Sequence, residues 1–203
     1  MAPSTDDIEN RVVKLERKLS VDPAQRVKDC LLRQEVYLAK LMRVPSDYYE
    51  QPLEKRAQIL NSKPSQLCKS IVFQNGACPH DRCDDISDSK YLCVVVMYER
   101  KFNAERLKDY IWNLRPSSER LPRKRFNFQL APSEVSDLLT GFSHNAVCPF
   151  GLISSIPVII CSTCMESPYL WMGGGEVDLK LGIASSDFVR ATGARVACIS
   201  DPR

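Results

Sequence analysis

Apolar positions recur every three or four residues through the first part of the chain. Ile8, Val12, Leu15 and Leu19 step by 4, 3 and 4, and after Asp22-Pro23 a second stripe runs through Val27, Leu31, Leu38 and Leu41. That spacing keeps side chains on one face of a helix, so residues 5–44 are expected to be helical. Each stripe is narrow and only about two heptads long, which leaves two uses for it: packing against the body of the same chain, or pairing two copies into a homodimer. Pro52 then opens a short helix ending near Asn61. Close to Lys63-Pro64 the period changes from helical to alternating, and the expected division follows from that change: a helical N-terminal extension over 1–44 and a domain over 45–203.

Within the domain, strand and helix patterns alternate. "QLCKSIVFQ", "KYLCVVVMY", "RFNFQL", "IPVIIC", "PYLWM", "VDLKLGI" and "RVACI" read as strands. "NAERLKDYIWNL" carries an Asn103 N-cap and a stripe of Leu107, Tyr110, Ile111 and Leu114. "PSEVSDLL" has Pro132 at its first turn, and "SSDFVRAT" is stopped by Gly193. The prediction is an α/β fold, a mixed sheet with helices against it. "NGACPHDRCDDISDSK" (75–90) is a polar excursion between two strands, of a length that often carries function.

Composition changes this picture little. A chain of 203 residues with 44% apolar and 26% charged residues holds one domain plus an extension, and a net charge of +3 does not by itself announce nucleic acid. The first ten residues, "MAPSTDDIEN", are acidic and lack an apolar core, so no signal peptide is read there. The nine cysteines are accordingly expected to be reduced thiols in a cytoplasmic protein. The longest apolar run, "LCVVVMY", is far short of the roughly 18–20 residues that span a bilayer.

Five stretches could carry chemistry. Lys69 lies in mid-strand on the face of Leu67, Ile71 and Phe73; either that face meets solvent, or a lysine directed inward needs an anionic partner. In "SHNAVCPFG" the small residues Asn145, Ala146 and Cys148 let a ligand approach main-chain N–H groups, Pro149 fixes the path, and His144 stands beside them. Such a loop is either a structural turn or an oxyanion-binding one. Gly173 to Gly175 force an unusual bend or a close approach, but their spacing fits neither a P-loop nor a dinucleotide fingerprint. Cys78, His80 and Cys83, with Cys161 and Cys164, are read as free thiols and an ordinary histidine; zinc is the alternative if the fold gathers them. Arg115, Arg120, Arg123, Lys124 and Arg125 form either a solvated face or a grip on an RNA backbone.

Taken in order, "LCKSIVF", "LTGFSHNAVCPFGL", "IPVII" and "WMGGGEVDLKLGIASSDFVRATGA" resemble the YbaK/ProX family of trans-editing aminoacyl-tRNA deacylases, related to the insertion domain of bacterial prolyl-tRNA synthetases, over roughly 45–203. The resemblance implies mixed strands curled into a partly closed barrel ringed by helices, and a pocket for the aminoacyl end of tRNA. It implies a catalytic role for Lys69, with Asn145 and Ala146 supplying the loop that polarises the ester. Ser70, His144, Cys148, Pro149, Gly151, Gly173, Gly174 and Asp178 would contact substrate, and Arg120, Arg123, Lys124 and Arg125 the RNA. The family loop has a glycine followed three residues later by Ser-Pro. Here Asn145 replaces the glycine, Cys148-Pro149 replaces Ser-Pro, and Asp178 stands where many members have another glycine. Asn tolerates a positive φ better than most residues, which would preserve the path. The implied activity is deacylation of a mischarged tRNA without metal or cofactor, with an aminoacyl-tRNA synthetase as a further partner. The alternative is an inactive homologue that binds tRNA or a synthetase.

Overall fold

The computed structural model describes residues 22–203, so the stripe from Ile8 to Leu19 lies outside the described residues. In chain order the elements are α1 (Pro23–Arg33), β1 (Lys40–Arg43), α2 (Leu53–Ile59), β2 (Cys68–Asn75), β3 (Tyr91–Met97), β4 (Arg100–Phe102), α3 (Ala104–Trp112), β5 (Phe128–Leu130), α4 (Ser133–Thr140), β6 (Val158–Cys161), β7 (Tyr169–Gly173), β8 (Leu179–Ala184), α5 (Ser185–Thr192), β9 (Arg195–Ala197) and β10 (Ser200–Pro202).

The α1 helix starts where the Asp22 side chain accepts from the Gln25 N–H at 2.9 Å, with Pro23 at its first position. It buries Val27 and Leu31, but it stops at Arg33, short of the expected end. Glu35 turns the chain through φ 55, Leu38 is 82% exposed, and residues 40–43 form a strand where helix was expected. The reason is tertiary: Lys40 to Arg43 pair antiparallel with Gly182 to Leu179 of β8, and that ladder outweighs a weak helical stripe.

Strands fall into a five-stranded sheet ordered β5-β2-β3-β6-β9, a three-stranded sheet β1-β8-β7, and the pair β10-β4. The five-stranded sheet is mixed, with β6 parallel to both β3 and β9. Central β3 is buried on both faces, as its unbroken run from Leu92 to Val96 requires. The mixed α/β class is as expected. The sheets do not close into a barrel: among the described residues a single parallel bridge, Leu67 to Trp171, joins the two larger sheets. One cause is local. β5 pairs with β2 only from Phe73 to Asn75, with Ala131 N–H reaching Val72 O just beyond, so the edge from Cys68 to Ile71 is left open on that side. No described helix is long and apolar enough to cross a membrane.

Candidate active site at the open edge of β2

A cavity of about 380 Å³ lies along that open edge. Lys69 and Ser70 line it from β2, with Tyr49, Tyr98, His144, Asn145, Val147 and Gly173 around them. The sequence left open whether the Lys69 face meets solvent. In the structure both faces of β2 are covered: Cys68 and Val72 are buried on one side, and Phe73 packs on Phe102 at 4.1 Å between ring centroids on the other. Lys69 is half-buried, and burial, assisted by the positive charge of Arg203, holds its ammonium below the usual lysine range. The Ser70 hydroxyl oxygen is buried with no hydrogen-bond partner among the described residues, an orphan donor on the cavity wall.

The facing loop is built by its own backbone. Helix α4 ends at Gly141, left-handed at φ 71, and Thr140 Oγ1 caps the exit by accepting from the Phe142 N–H at 3.1 Å. Ala146 N–H donates to Ser143 O at 3.0 Å, and Asn145 sits at φ 66, the left-handed conformation that asparagine was expected to tolerate. Among the described residues the Asn145 and Val147 N–H groups have no partner in the protein, so both remain available to a ligand. The glycine run explains itself here: a Cβ at Gly173 would lie 2.5 Å from Val147 O, and Gly175 N–H donates to Ala146 O at 3.1 Å. From the other side Arg26 of α1 donates to Gly141 O at 2.6 Å and Gly151 O at 3.3 Å, and stacks 4.8 Å from the Phe142 ring centroid.

Behind the loop is a polar chain that the sequence reading missed. Lys180, on the central strand of the three-stranded sheet, is 3% exposed. Its ammonium donates to Val177 O at 2.6 Å and to the Tyr49 hydroxyl at 3.0 Å, and it lies 4.3 Å from the Tyr49 ring centroid. Tyr49 in turn donates to Asn145 O at 2.7 Å. Burial brings Lys180 down to about 8, with Asp178 opposing the shift and Arg56 adding to it. The available signal was a lysine alternating with Leu179, Leu181 and Ile183, opposite in phase to the apolar face.

Lys69, Ser70, His144, Asn145 and Gly173 therefore come together, and His144 is exposed at the rim. Ala146 is buried and contributes main chain. Other candidates do not line this cavity. Cys148 is buried in the core, which pushes its thiol far up from the ordinary value and leaves it unsuited to attack. Pro149 and Gly151 line a separate cleft of about 410 Å³ beside Arg26 and Arg33. Gly174 N–H is tied to Leu179 O, and Asp178 pairs with Arg43. In the basic segment, Arg123 pairs with Asp109, Arg125 with Asp88 and Arg115 with Asp85, while Arg120 stacks on Trp112; Lys124 is exposed. The two thiol groups stay apart in their partners: Cys78 and His80 meet Asp88, whereas Cys164 lies 3.8 Å from Cys68 and Cys161 lies 3.0 Å from Ser200 Oγ.

The site thus offers a half-buried cation, an orphan hydroxyl and free main-chain N–H groups around a small cavity, which suits a polar, partly anionic ligand better than an apolar one. No curated protein matches the chain. Among solved structures, a proposed trans-editing enzyme for prolyl tRNA synthetase is similar at 19% identity and TM-score 0.70, over 90% of this chain and 99% of that one. The hypothetical protein APE2540 is similar at 18% identity and TM-score 0.65, over 87% and 99%. The family described as the aminoacyl-tRNA editing domain matches residues 51–191, which include the cavity's Lys69, Asn145 and Gly173 and the Lys180 behind them. The chain belongs to the aminoacyl-tRNA editing domain family.

Proposed function

We propose that the protein is a trans-editing hydrolase that removes a wrongly attached small amino acid from tRNA in the cavity at the edge of β2. The observation that carries this reading is that Lys69 and the left-handed Asn145 turn line one cavity of about 380 Å³. In the reaction a water oxygen bonds to the ester carbonyl carbon, the carbon–oxygen bond to the ribose breaks, the ribose oxygen takes up a proton, and the free amino acid leaves. The Asn145 and Val147 N–H groups stabilise the developing oxyanion, and Lys69 binds the phosphate or carbonyl end of the terminal adenosine. The attacking water is helped by a ribose hydroxyl of the tRNA, since Cys148 is buried and no nucleophilic side chain is needed. A second sieve of this kind is required because binding alone separates side chains differing by one methylene by only about 1–3 kcal/mol. Exposed Lys124 would meet the RNA backbone.

A panel of labelled aminoacyl-tRNAs incubated with the wild-type protein and with Lys69→Ala tests the reading. Turnover of at least one small aminoacyl-tRNA, abolished by the substitution, supports it. Absence of turnover across the panel contradicts it and leaves the fold as a tRNA- or synthetase-binding module.

A further inference from the structure

We propose that Lys180 and Tyr49 are positioning residues of the cavity: the buried Lys180 ammonium orients the Tyr49 hydroxyl, which holds the Asn145 carbonyl and so keeps the loop N–H groups turned toward the ligand. This deepens the proposed function and rests on it. The direction of the chain follows from proton counting. Tyr49 has one hydroxyl proton and Asn145 O can only accept, so at 2.7 Å the phenol is the donor there. Lys180 must then donate to the phenol oxygen at 3.0 Å, and its other contact, Val177 O at 2.6 Å, ties the same ammonium to the turn between β7 and β8. That turn reaches the loop a second time through Gly175 N–H and Ala146 O. The Asn145 turn is therefore held from two sides, and one of the two ties runs through a single proton.

The groups facing Lys180 are few. Tyr48 and Tyr49 present their rings at 5.0 and 4.3 Å, Tyr98 lines the same small cavity and interacts with the Tyr49 hydroxyl, Asp178 adds negative charge from the turn, and Arg56 of α2 adds positive charge. When Lys180 loses its proton the nitrogen gains a lone pair, and the Tyr49 proton can turn to it. Asn145 O then loses its partner, and the left-handed turn, already costly for a residue other than glycine, relaxes. A lysine placed merely to fill space would not link the turn to its own protonation.

Hydrogen exchange of the full chain, followed by mass spectrometry on peptides covering 143–149, tests this in wild type, Tyr49→Phe and Lys180→Met, with melting curves as a check on folding. Protection is expressed relative to intrinsic exchange at each pH, and the pH profile of deacylation is recorded alongside. At pH 7 both substitutions are expected to lower protection of the hydrogen-bonded Ala146 amide within 143–149 by about tenfold while peptides in β3 are unchanged. In wild type the same loss appears as pH rises to about 9.5, together with a fall in deacylation, and Lys180→Met shows no further change over that range. Protection in Tyr49→Phe equal to wild type, or a wild-type profile flat across this range, overturns the proposal. If no aminoacyl-tRNA is turned over, the functional reading fails by itself, and the exchange data still decide the positioning role.

Discussion

Replacing Lys180 by methionine separates what this residue contributes to the site from what it costs the fold. The ammonium is 3% exposed and its pKa falls from 10.5 to about 8, a depression of roughly 2.5 units, or about 3 kcal/mol at 1.36 kcal/mol per unit. The sign follows from proton counting. Between pH 8 and 10.5 the unfolded chain holds the proton and the native state does not, so the cost is complete below about pH 8 and fades as pH rises toward 10.5. Lys180→Met also removes the contacts to Val177 O and Tyr49, which sets the offset between the two proteins at pH 7, and any change in those contacts on deprotonation is already contained in the lowered pKa. The stability of wild type relative to Lys180→Met should therefore rise by roughly 2–3 kcal/mol between pH 7 and pH 10. Urea unfolding of both proteins at the two pH values reads this directly, as a change of about 1 M in the difference between their midpoints for a slope near 2 kcal/mol/M. A difference that stays constant within about 0.5 kcal/mol would show that Lys180 titrates like a solvated lysine, and the reasoning from its burial would be wrong.

Three further outcomes test the architecture around the cavity. Gly173→Ala places a methyl 2.5 Å from Val147 O, and is expected to destabilise by about 1–3 kcal/mol and to abolish deacylation; a wild-type melting curve would contradict the close approach. Cys148→Ala is expected to leave the deacylation rate within about twofold while lowering stability by roughly 1–2 kcal/mol, because the thiol is core and not nucleophile; loss of turnover in a folded variant would reinstate an acyl-cysteine route. Arg26→Met breaks the contacts to Gly141 O and Gly151 O, with an expected cost of about 2–4 kcal/mol by urea unfolding and a larger KM; unchanged stability would refute the clamp.

Most strands and helices from Pro52 onward were legible in the sequence because their apolar periods are consistent with their packing, whereas the short β4–β10 pair, with no apolar alternation of its own, was not. The Asn103 cap, the Gly193 stop and the buried run of β3 are local signals that tertiary structure reinforces. The chain before Pro52 read less well. Leu38 and Leu41 fit a helical stripe by spacing, yet the strand partner of Met42 is Lys180, 138 residues further along the chain, a separation no local pattern encodes.

The site was half legible for a similar reason. Lys69, Asn145 and Gly173 belong to separate motifs, and only the fold shows that they share one cavity. Pro149 and Gly151 sit in the same loop as Asn145 but face another cleft, because the left-handed turns at Asn145 and Gly151 redirect the chain between them. The Lys180–Tyr49–Asn145 chain was missed because its members are far apart in sequence, and the alternation that marks Lys180 does not point to its partners. In the basic segment the sequence shows the charge but not its partners: Arg115, Arg123 and Arg125 are each paired with an aspartate of the same chain.

The central claim is that the aminoacyl end of tRNA binds at the open edge of β2. Titrating the labelled protein with an amide-linked, non-hydrolysable aminoacyl-adenosine and following main-chain NMR shifts tests it most directly. The account predicts shifts concentrated at Lys69, Ser70, Asn145, Val147 and Gly173, with binding weakened by Lys69→Ala. Shifts confined to the cleft around Arg26, Pro149 and Gly151, or binding unaffected by Lys69→Ala, would contradict it.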